Sequence, residues 1–289
     1  MVFHNRGLLD SFEMFSNLIN MSFEEVKNLE YIHTQFDHLK LEEEHRDIIV
    51  SNLIRRHRDR KNVITVMNFQ FFNRSWLIPF DRRLTETKLF RVSPSNFVHV
   101  KIMTVKDNFR YIKSDNCKVV FLQYEQSELM AAIILPLNGK DVTKSLLRLT
   151  SGTLMQYYND SETRQVLLKL PRFKISQNID LRAALLKMKG SGLFKTHNQS
   201  VHLAQSNGFI DHLVQTTFLF VDEDGTWMNS KSSEEESKEG NNIINEVTEY
   251  NLFATHPFLF ILFHPIKQMI ISVTLIKDPT PDGVFPSSD

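Results

Sequence analysis

The chain has 289 residues, with 34 basic and 34 acidic side chains, a single cysteine and an apolar fraction of 42%. This balance is typical of a globular protein and excludes wholesale disorder, while the zero formal charge argues against a general nucleic-acid binder, which needs a basic excess. The lone Cys117 excludes an internal disulfide framework and a cysteine-rich zinc site.

The amino-terminal twenty residues lack the pattern of a secretory leader, because Asp10 and Glu13 interrupt their apolar stretch and no small-residue cleavage site follows. The longest apolar runs, Pro257–Phe263 and Met269–Ile276, are much shorter than the roughly 18 to 20 residues that a membrane span needs. We therefore expect no signal peptide in this chain and no membrane partner. Both a secreted and a cytoplasmic location stay open.

The first quarter of the chain combines helical and extended patterns. Apolar residues recur at helical spacing over residues 8–20, and residues 23–31 have an extended pattern. A second helix is predicted over residues 41–56, with an acidic start and a basic end, as the helix dipole favours. The β-rich, proline-free run Val63–Phe72 predicts a strand buried on both faces.

The remaining pattern is mostly extended. Asp180 is predicted to cap a helix that Gly190 ends. Further strands are predicted at Lys118–Gln123, Leu129–Leu135, Val166–Leu170, Phe209–Val221, Phe258–Phe263 and Met269–Ile276. Many strands with a few scattered helices predict a mixed α+β fold.

Residues 222–251 interrupt this pattern with a long polar segment whose centre is acidic and of low complexity. Connections in compact domains usually have only a few residues, so a segment of this length is either a disordered insertion or an exposed functional loop.

Catalytic motifs are absent from the sequence: no nucleophile elbow, phosphate loop, zinc-protease helix or dinucleotide fingerprint occurs. We expect no enzyme activity, cofactor or metal; His256 and His264 are interpreted as structural, and Cys117 as a buried, inert thiol. Arg55–Lys61 carries five fixed positive charges and one negative charge. It is either a weak candidate for a sulfated glycosaminoglycan or simply a solvated helix end.

Several motifs in one order along the chain resemble the serpin (serine protease inhibitor) family. The motif-bearing segments are Met67–Trp76 with Pro79–Asp81, Val100–Met103, Met130–Pro136, Leu170–Ile175, Val221–Thr226 and His256–Phe260. The resemblance covers residues 8 to 279 and implies a single serpin-like domain over residues 1–289. It further implies three β-sheets with about nine helices around an exposed reactive loop, here residues 225–251.

The resemblance also implies a mechanism and its residues. In inhibitory serpins a serine protease attacks the loop, which then inserts into the central sheet and distorts the enzyme. Val63–Phe72 and Phe209–Val221 would flank the insertion slot. The sheet-opening region would contain Asn68, Trp76 and Gln215, the last at a position where serpins commonly have histidine.

Two further features depart from the inhibitory pattern. The amino-terminal helices of the family and one sheet strand have no counterpart in this sequence. The loop hinge also differs, since bulky residues follow it where inhibitory serpins have small ones. The hinge residues are Glu223, Asp224, Gly225, Thr226, Trp227 and Met228.

Strand alternation gives a test of insertion. If Thr226 faces inward, Glu234 and Glu236 follow it to the buried side, and insertion should stall near Ser233. A straight count from Gly225 puts the scissile bond at Glu239–Gly240. The sequence thus predicts a serpin-family protein with a serine protease partner and impaired or lost loop-insertion inhibition. The alternative is a non-inhibitory scaffold that acts as a binding, carrier or protease-decoy protein.

Overall fold

The structure is a computed structural model that describes residues 2–4, 23–25, 63–70, 72–137, 141–188, 209–227 and 249–280. The chain divides into two compact units. The first unit comprises residues 1–71 and 176–218, and the second comprises residues 72–175 and 219–289. Each unit is described by itself below.

Strands dominate the described residues. In chain order they are β1 (Val2–His4), β2 (Phe23–Glu25), β3 (Val63–Gln70), β4 (Arg74–Ser75), β5 (Glu86–Ser93), β6 (Asn96–Lys113), β7 (Cys117–Gln123), β8 (Met130–Pro136), β9 (Glu162–Pro171), β10 (Phe173–Asp180), β11 (Phe209–Val221), β12 (Gly225–Trp227), β13 (Tyr250–Phe253), β14 (Phe258–His264) and β15 (Met269–Ile276). The helices are α1 (Val142–Arg148), α2 (Ser151–Asp160) and α3 (Arg182–Lys187), with a 3₁₀ turn at Arg82–Leu84.

In the first unit, β3 lies between β1 and β11. It pairs antiparallel with β1 and parallel with β11, where the paired stretch of β11 is Phe209–Thr217. The first unit also contains α3, which begins two residues after Asp180; the Asp180 carboxylate accepts a hydrogen bond from the backbone N–H of Arg182 at 3.0 Å. A side chain that satisfies a free N–H at the start of a helix stabilises that end.

In the second unit, eight strands form one network in the order β13-β9-β6-β7-β8-β14-β15, with β5 paired to β6. The 18-residue β6 holds this network together, because it pairs with β5, β9 and β7 along successive parts of its length. Every residue of β8 and of β14 is buried. These two strands therefore form the centre of the unit.

The core of the second unit has two apolar clusters. The larger one contains Trp76, Phe90, Phe173 and Phe258. The smaller one collects side chains of β7, β8 and β14 beneath the two helices α1 and α2, and it includes Cys117, as expected for a buried thiol.

The predicted strands within the described residues are confirmed, and β11 and β15 have the predicted bounds. The mixed α+β class is confirmed as well. The prediction that β3 is buried on both faces is wrong, because Asn68 is exposed. The predicted elements include no counterpart of seven strands and two helices, which are β1, β4, β5, β6, β10, β12, β13, α1 and α2. The helices predicted over residues 8–20 and 41–56 and the basic run Arg55–Lys61 lie outside the described residues.

Candidate functional site

The chain reverses direction between β11 and β12 in a turn built on Asp222. Its carboxylate accepts hydrogen bonds from the backbone N–H groups of Asp224 and Gly225, each at 3.0 Å, and its own N–H donates to the Gly225 carbonyl at 3.1 Å. Aspartate favours such turns because its short side chain reaches the backbone two residues ahead. The turn places Val221 opposite Thr226 and Phe220 opposite Trp227 in an antiparallel pair.

Strand β12 has a hydrogen-bonded neighbour on each side. Beyond its pairing with the end of β11, it pairs antiparallel with β4, with Gly225 opposite Ser75 and Thr226 opposite Arg74. The N–H of Trp76 donates to the Asp224 carbonyl at 2.8 Å and extends this ladder. Residues Gly225–Trp227 of the predicted hinge are therefore ordered as a strand in the second unit.

An aromatic cluster closes over Thr226, whose side chain is 0% exposed. The hydroxyl oxygens of Thr226 and Tyr124 are 2.8 Å apart, and the Tyr124 ring stacks on Trp76 with centroids 4.6 Å apart. The indole N–H of Trp76 donates to the Asp222 carbonyl at 2.9 Å. Burial raises the pKa of the Tyr124 phenol well above its usual value, so this hydroxyl stays protonated.

The Glu223 carboxylate is fully buried and is paired. Nη2 of Arg172 lies 2.7 Å from both carboxylate oxygens, and the Thr85 hydroxyl donates to one of them at 2.5 Å. The backbone N–H of Phe80 donates to the Glu223 carbonyl at 2.9 Å. A charge taken out of water is tolerated only with such partners, so this ion pair ties the turn to the start of β10 and the segment before β5.

The third acidic residue of the turn faces outward. Asp224 accepts a hydrogen bond from Nη2 of Arg82 at 2.6 Å, and the two side chains are 41% and 28% exposed. This hydrogen bond raises the pKa of Arg82. Because solvent reaches the Asp224 carboxylate, this pair contributes less to stability than the pair of Arg172, itself 35% exposed, with the fully buried Glu223 carboxylate.

The turn held by Asp222 and Glu223 follows the 13-residue strand β11 and precedes the long polar segment whose centre is acidic. A family model described as serpin (serine protease inhibitor) matches residues 40–279. The chain belongs to the serpin family. This is a family of protease inhibitors and not of enzymes.

Curated relatives and solved structures agree with this assignment. Human serpin I2 is 25% identical over 225 residues, which are 75% of this chain and 53% of the relative. Leukocyte elastase inhibitor of Xenopus laevis is 26% identical over 221 residues, 74% of this chain and 57% of the relative. The chain thus spans little more than half the length of these relatives.

The crystal structure of human thyroxine-binding globulin aligns with a TM-score of 0.73 at 18% identity, covering 96% of this chain and 74% of that one. At this identity the likeness shows the serpin fold. The fold predicted from the sequence is therefore confirmed.

The predicted sheet-opening residues of this serpin lie in both units. Asn68 of β3 and Gln215 of β11 are direct partners in the parallel ladder of the first unit; Asn68 is exposed and Gln215 is half-buried. Trp76 lies in the second unit, where it is 2% exposed and contacts Tyr124 and Asp222. Trp76 is therefore part of the structure that holds the turn.

The hinge residues are less exposed than the sequence led us to expect. The reactive-loop-like segment was expected to be exposed from Gly225 onward, but Gly225 and Thr226 are buried. The correction has a physical reason, since β12 is hydrogen-bonded on both edges and covered by Tyr124. The remaining predicted residues of the hinge and scissile bond, Met228, Glu239 and Gly240, lie outside the described residues.

Sequence reasoning missed the partners that hold the hinge. Arg172 lies within the serpin-like segment Leu170–Ile175, but the resemblance implies no role for it. The sequence analysis likewise assigns no role to Thr85, Arg82 or Tyr124. The one available signal was the run of three acidic residues, Asp222 to Asp224, because buried or half-buried carboxylates require cations or donors nearby. That signal predicts partners without identifying them.

Two histidines that the sequence predicts to be structural, His256 and His264, lie in the second unit. His264 is buried; its Nε2 lies 3.0 Å from a Glu128 oxygen, and its Nδ1 accepts a hydrogen bond from the N–H of Lys267. Burial lowers the pKa of His256. Within the described ranges no cluster of three potential metal ligands occurs, and no helix there has the length and apolarity of a membrane span.

Proposed function

We propose that this serpin presents residues 228–248 to a serine protease and is cleaved there as a substrate, without trapping the enzyme by full loop insertion. Similarity to leukocyte elastase inhibitor supports a protease partner in general terms. The impairment is argued from the hinge itself.

The observation that carries the proposal is the complete burial of the Thr226 side chain against Tyr124. Successive side chains of a strand point to opposite faces, so a strand that continued from β12 would turn every second residue after Thr226 to the buried side. The residues concerned are Met228, Ser230, Ser232, Glu234 and Glu236.

Two of these residues, Glu234 and Glu236, are carboxylates. Burying an unpaired carboxylate costs on the order of several kcal/mol, whereas Glu223 is buried only because Arg172 and Thr85 neutralise and hydrogen-bond it. We therefore expect insertion to stall near Ser233.

The test is incubation of the full chain with a panel of trypsin-like, elastase-like and chymotrypsin-like proteases, followed by electrophoresis in SDS. We expect cleavage between residues 228 and 248 and no SDS-resistant adduct with the enzyme. The double variant Glu234→Ala and Glu236→Ala should form more adduct, because it removes both inward carboxylates. The matched control, Glu235→Ala and Glu249→Ala, removes the same charge at one outward position and at one exposed position after the segment, leaves the predicted scissile bond intact, and should behave as the unmodified chain.

Three results of this incubation would contradict the proposal or part of it. An SDS-resistant adduct with the unmodified chain at useful stoichiometry would contradict impaired insertion. Equal behaviour of the two double variants would show that the inward carboxylates are not its cause. Resistance of the loop to every protease in the panel would contradict the substrate role and favour a non-inhibitory scaffold.

A further inference from the structure

A cavity of about 300 Å³ lies in the second unit between helices α1 and α2 and the sheet beneath them. Its floor is formed by Cys117 of β7 and Ile134 of β8, each 3% exposed and part of the smaller apolar cluster. Cavities of this size are at the lower end of the range that small-molecule sites occupy.

The charged lining of the cavity is unbalanced. Lys144 and Arg148 line it from successive turns of α1, and Asp141 supplies the single carboxylate. The Asp141 carboxylate is already engaged at the start of α1, where it accepts a hydrogen bond from the N–H of Thr143 at 2.8 Å. No ion pair of either cation occurs within the described part of the chain.

The spacing of the two cations brings their charges together. Residues four apart in a helix lie on one face, so the like charges of Lys144 and Arg148 repel each other, and a bound anion would relieve that repulsion. Tyr157 of α2 lines the opposite side of the cavity, beside Cys117, whose Sγ lies 3.3 Å from the Ser114 hydroxyl. Leu149 adds apolar surface between the helices.

We infer that this cavity binds a small organic anion, whose negative group lies between Lys144 and Arg148 and whose apolar part contacts Leu149. A carboxylate or sulfonate on an aromatic ring has the required chemistry, since a bare inorganic anion would leave the apolar floor uncovered. The site is separate from the hinge, and it stands whether or not the loop traps a protease.

A fluorescence titration of the full chain with anilinonaphthalene sulfonate tests the site, because this probe combines an aromatic body with one negative charge. We expect one saturable site that weakens with added salt. The variant Lys144→Met with Arg148→Met should raise the dissociation constant about tenfold through loss of two charge contacts. The variant Ser145→Trp should weaken binding similarly, since it fills the cavity and keeps both cations.

The matched control is Lys267→Met with Lys277→Met, which removes two exposed cations elsewhere in the second unit. It should leave the dissociation constant unchanged. Equal weakening by this control would reduce the effect to net charge, and unchanged binding in Ser145→Trp would place the probe outside the cavity. Either result would overturn the inference.

Discussion

Among single residues, Glu223 depends most on its neighbours, because its charge is fully buried. Its carboxylate is fully buried with Arg172 2.7 Å from both oxygens. Replacing Arg172 with Met would leave a buried charge with only the Thr85 hydroxyl, so we expect the free energy of unfolding to fall by about 3 kcal/mol. Urea denaturation followed by circular dichroism would measure this loss.

Arg82→Met is the matched control for that substitution, because it removes an arginine from the neighbouring carboxylate Asp224. That pair is partly exposed, so its loss should cost at most about 1 kcal/mol. Adding Glu223→Gln to Arg172→Met should restore part of the stability, because the uncompensated charge is then gone. Equal costs for the two arginine substitutions would contradict the role assigned to burial.

At the scale of residues, the sequence predicts the hinge but does not predict which side chains contact it. The hinge residues and Trp76 were identified from the sequence by resemblance. Their partners were not, because Arg172 precedes Glu223 by 51 residues and Tyr124 precedes Thr226 by 102. Contacts over such separations depend on the folded sheet and leave no local pattern.

At the scale of elements, the turn between β11 and β12 depends on one side chain. Replacing Asp222 with Ala would remove the acceptor of the Asp224 and Gly225 N–H groups. We expect those two amides to exchange hydrogen faster, and the turn to be weakened by about 2 kcal/mol, since each of the two lost hydrogen bonds contributes roughly 1 kcal/mol. Hydrogen-exchange mass spectrometry of peptides covering residues 219–227 would measure the change.

Asp141→Ala provides the comparison, since Asp141 also accepts a backbone N–H, at the start of α1. It should accelerate exchange in α1 and leave residues 219–227 unchanged. Acceleration of the turn by both variants would indicate a general loss of stability instead of a local one.

Elements differ in how well their sequence reveals them. Strands β14 and β15 consist of almost uninterrupted apolar residues, and their pattern predicted them directly. The sequence does not predict strand β6. Buried apolar residues and exposed polar residues such as Lys101 and Asn108 alternate along only part of this strand, so the pattern typical of a strand is incomplete. Its structure comes from pairing with three other strands, which no local window contains.

At the scale of the whole chain, we expect strand β12 and the residues that follow it to have opposite effects on loop insertion. Strand β12 is already ordered between β11 and β4, which is a favourable start for an added strand. The residues that must follow it include Met228 and the two inward glutamates. We therefore expect the beginning of insertion to be favoured and its continuation to be opposed.

This opposition predicts how the chain responds to cleavage between residues 228 and 248. A serpin whose loop inserts after cleavage gains stability from the added strand, whereas here the burial of Glu234 and Glu236 would offset that gain. We expect the melting temperature in a calorimetric scan to be the same before and after cleavage. Cleaved Glu234→Ala/Glu236→Ala should melt about 10 °C higher than its uncleaved form, since several kcal/mol correspond to a shift of that order in a chain of this size. The same rise in the cleaved unmodified chain, or in cleaved Glu235→Ala/Glu249→Ala, would show that the inward carboxylates do not block insertion.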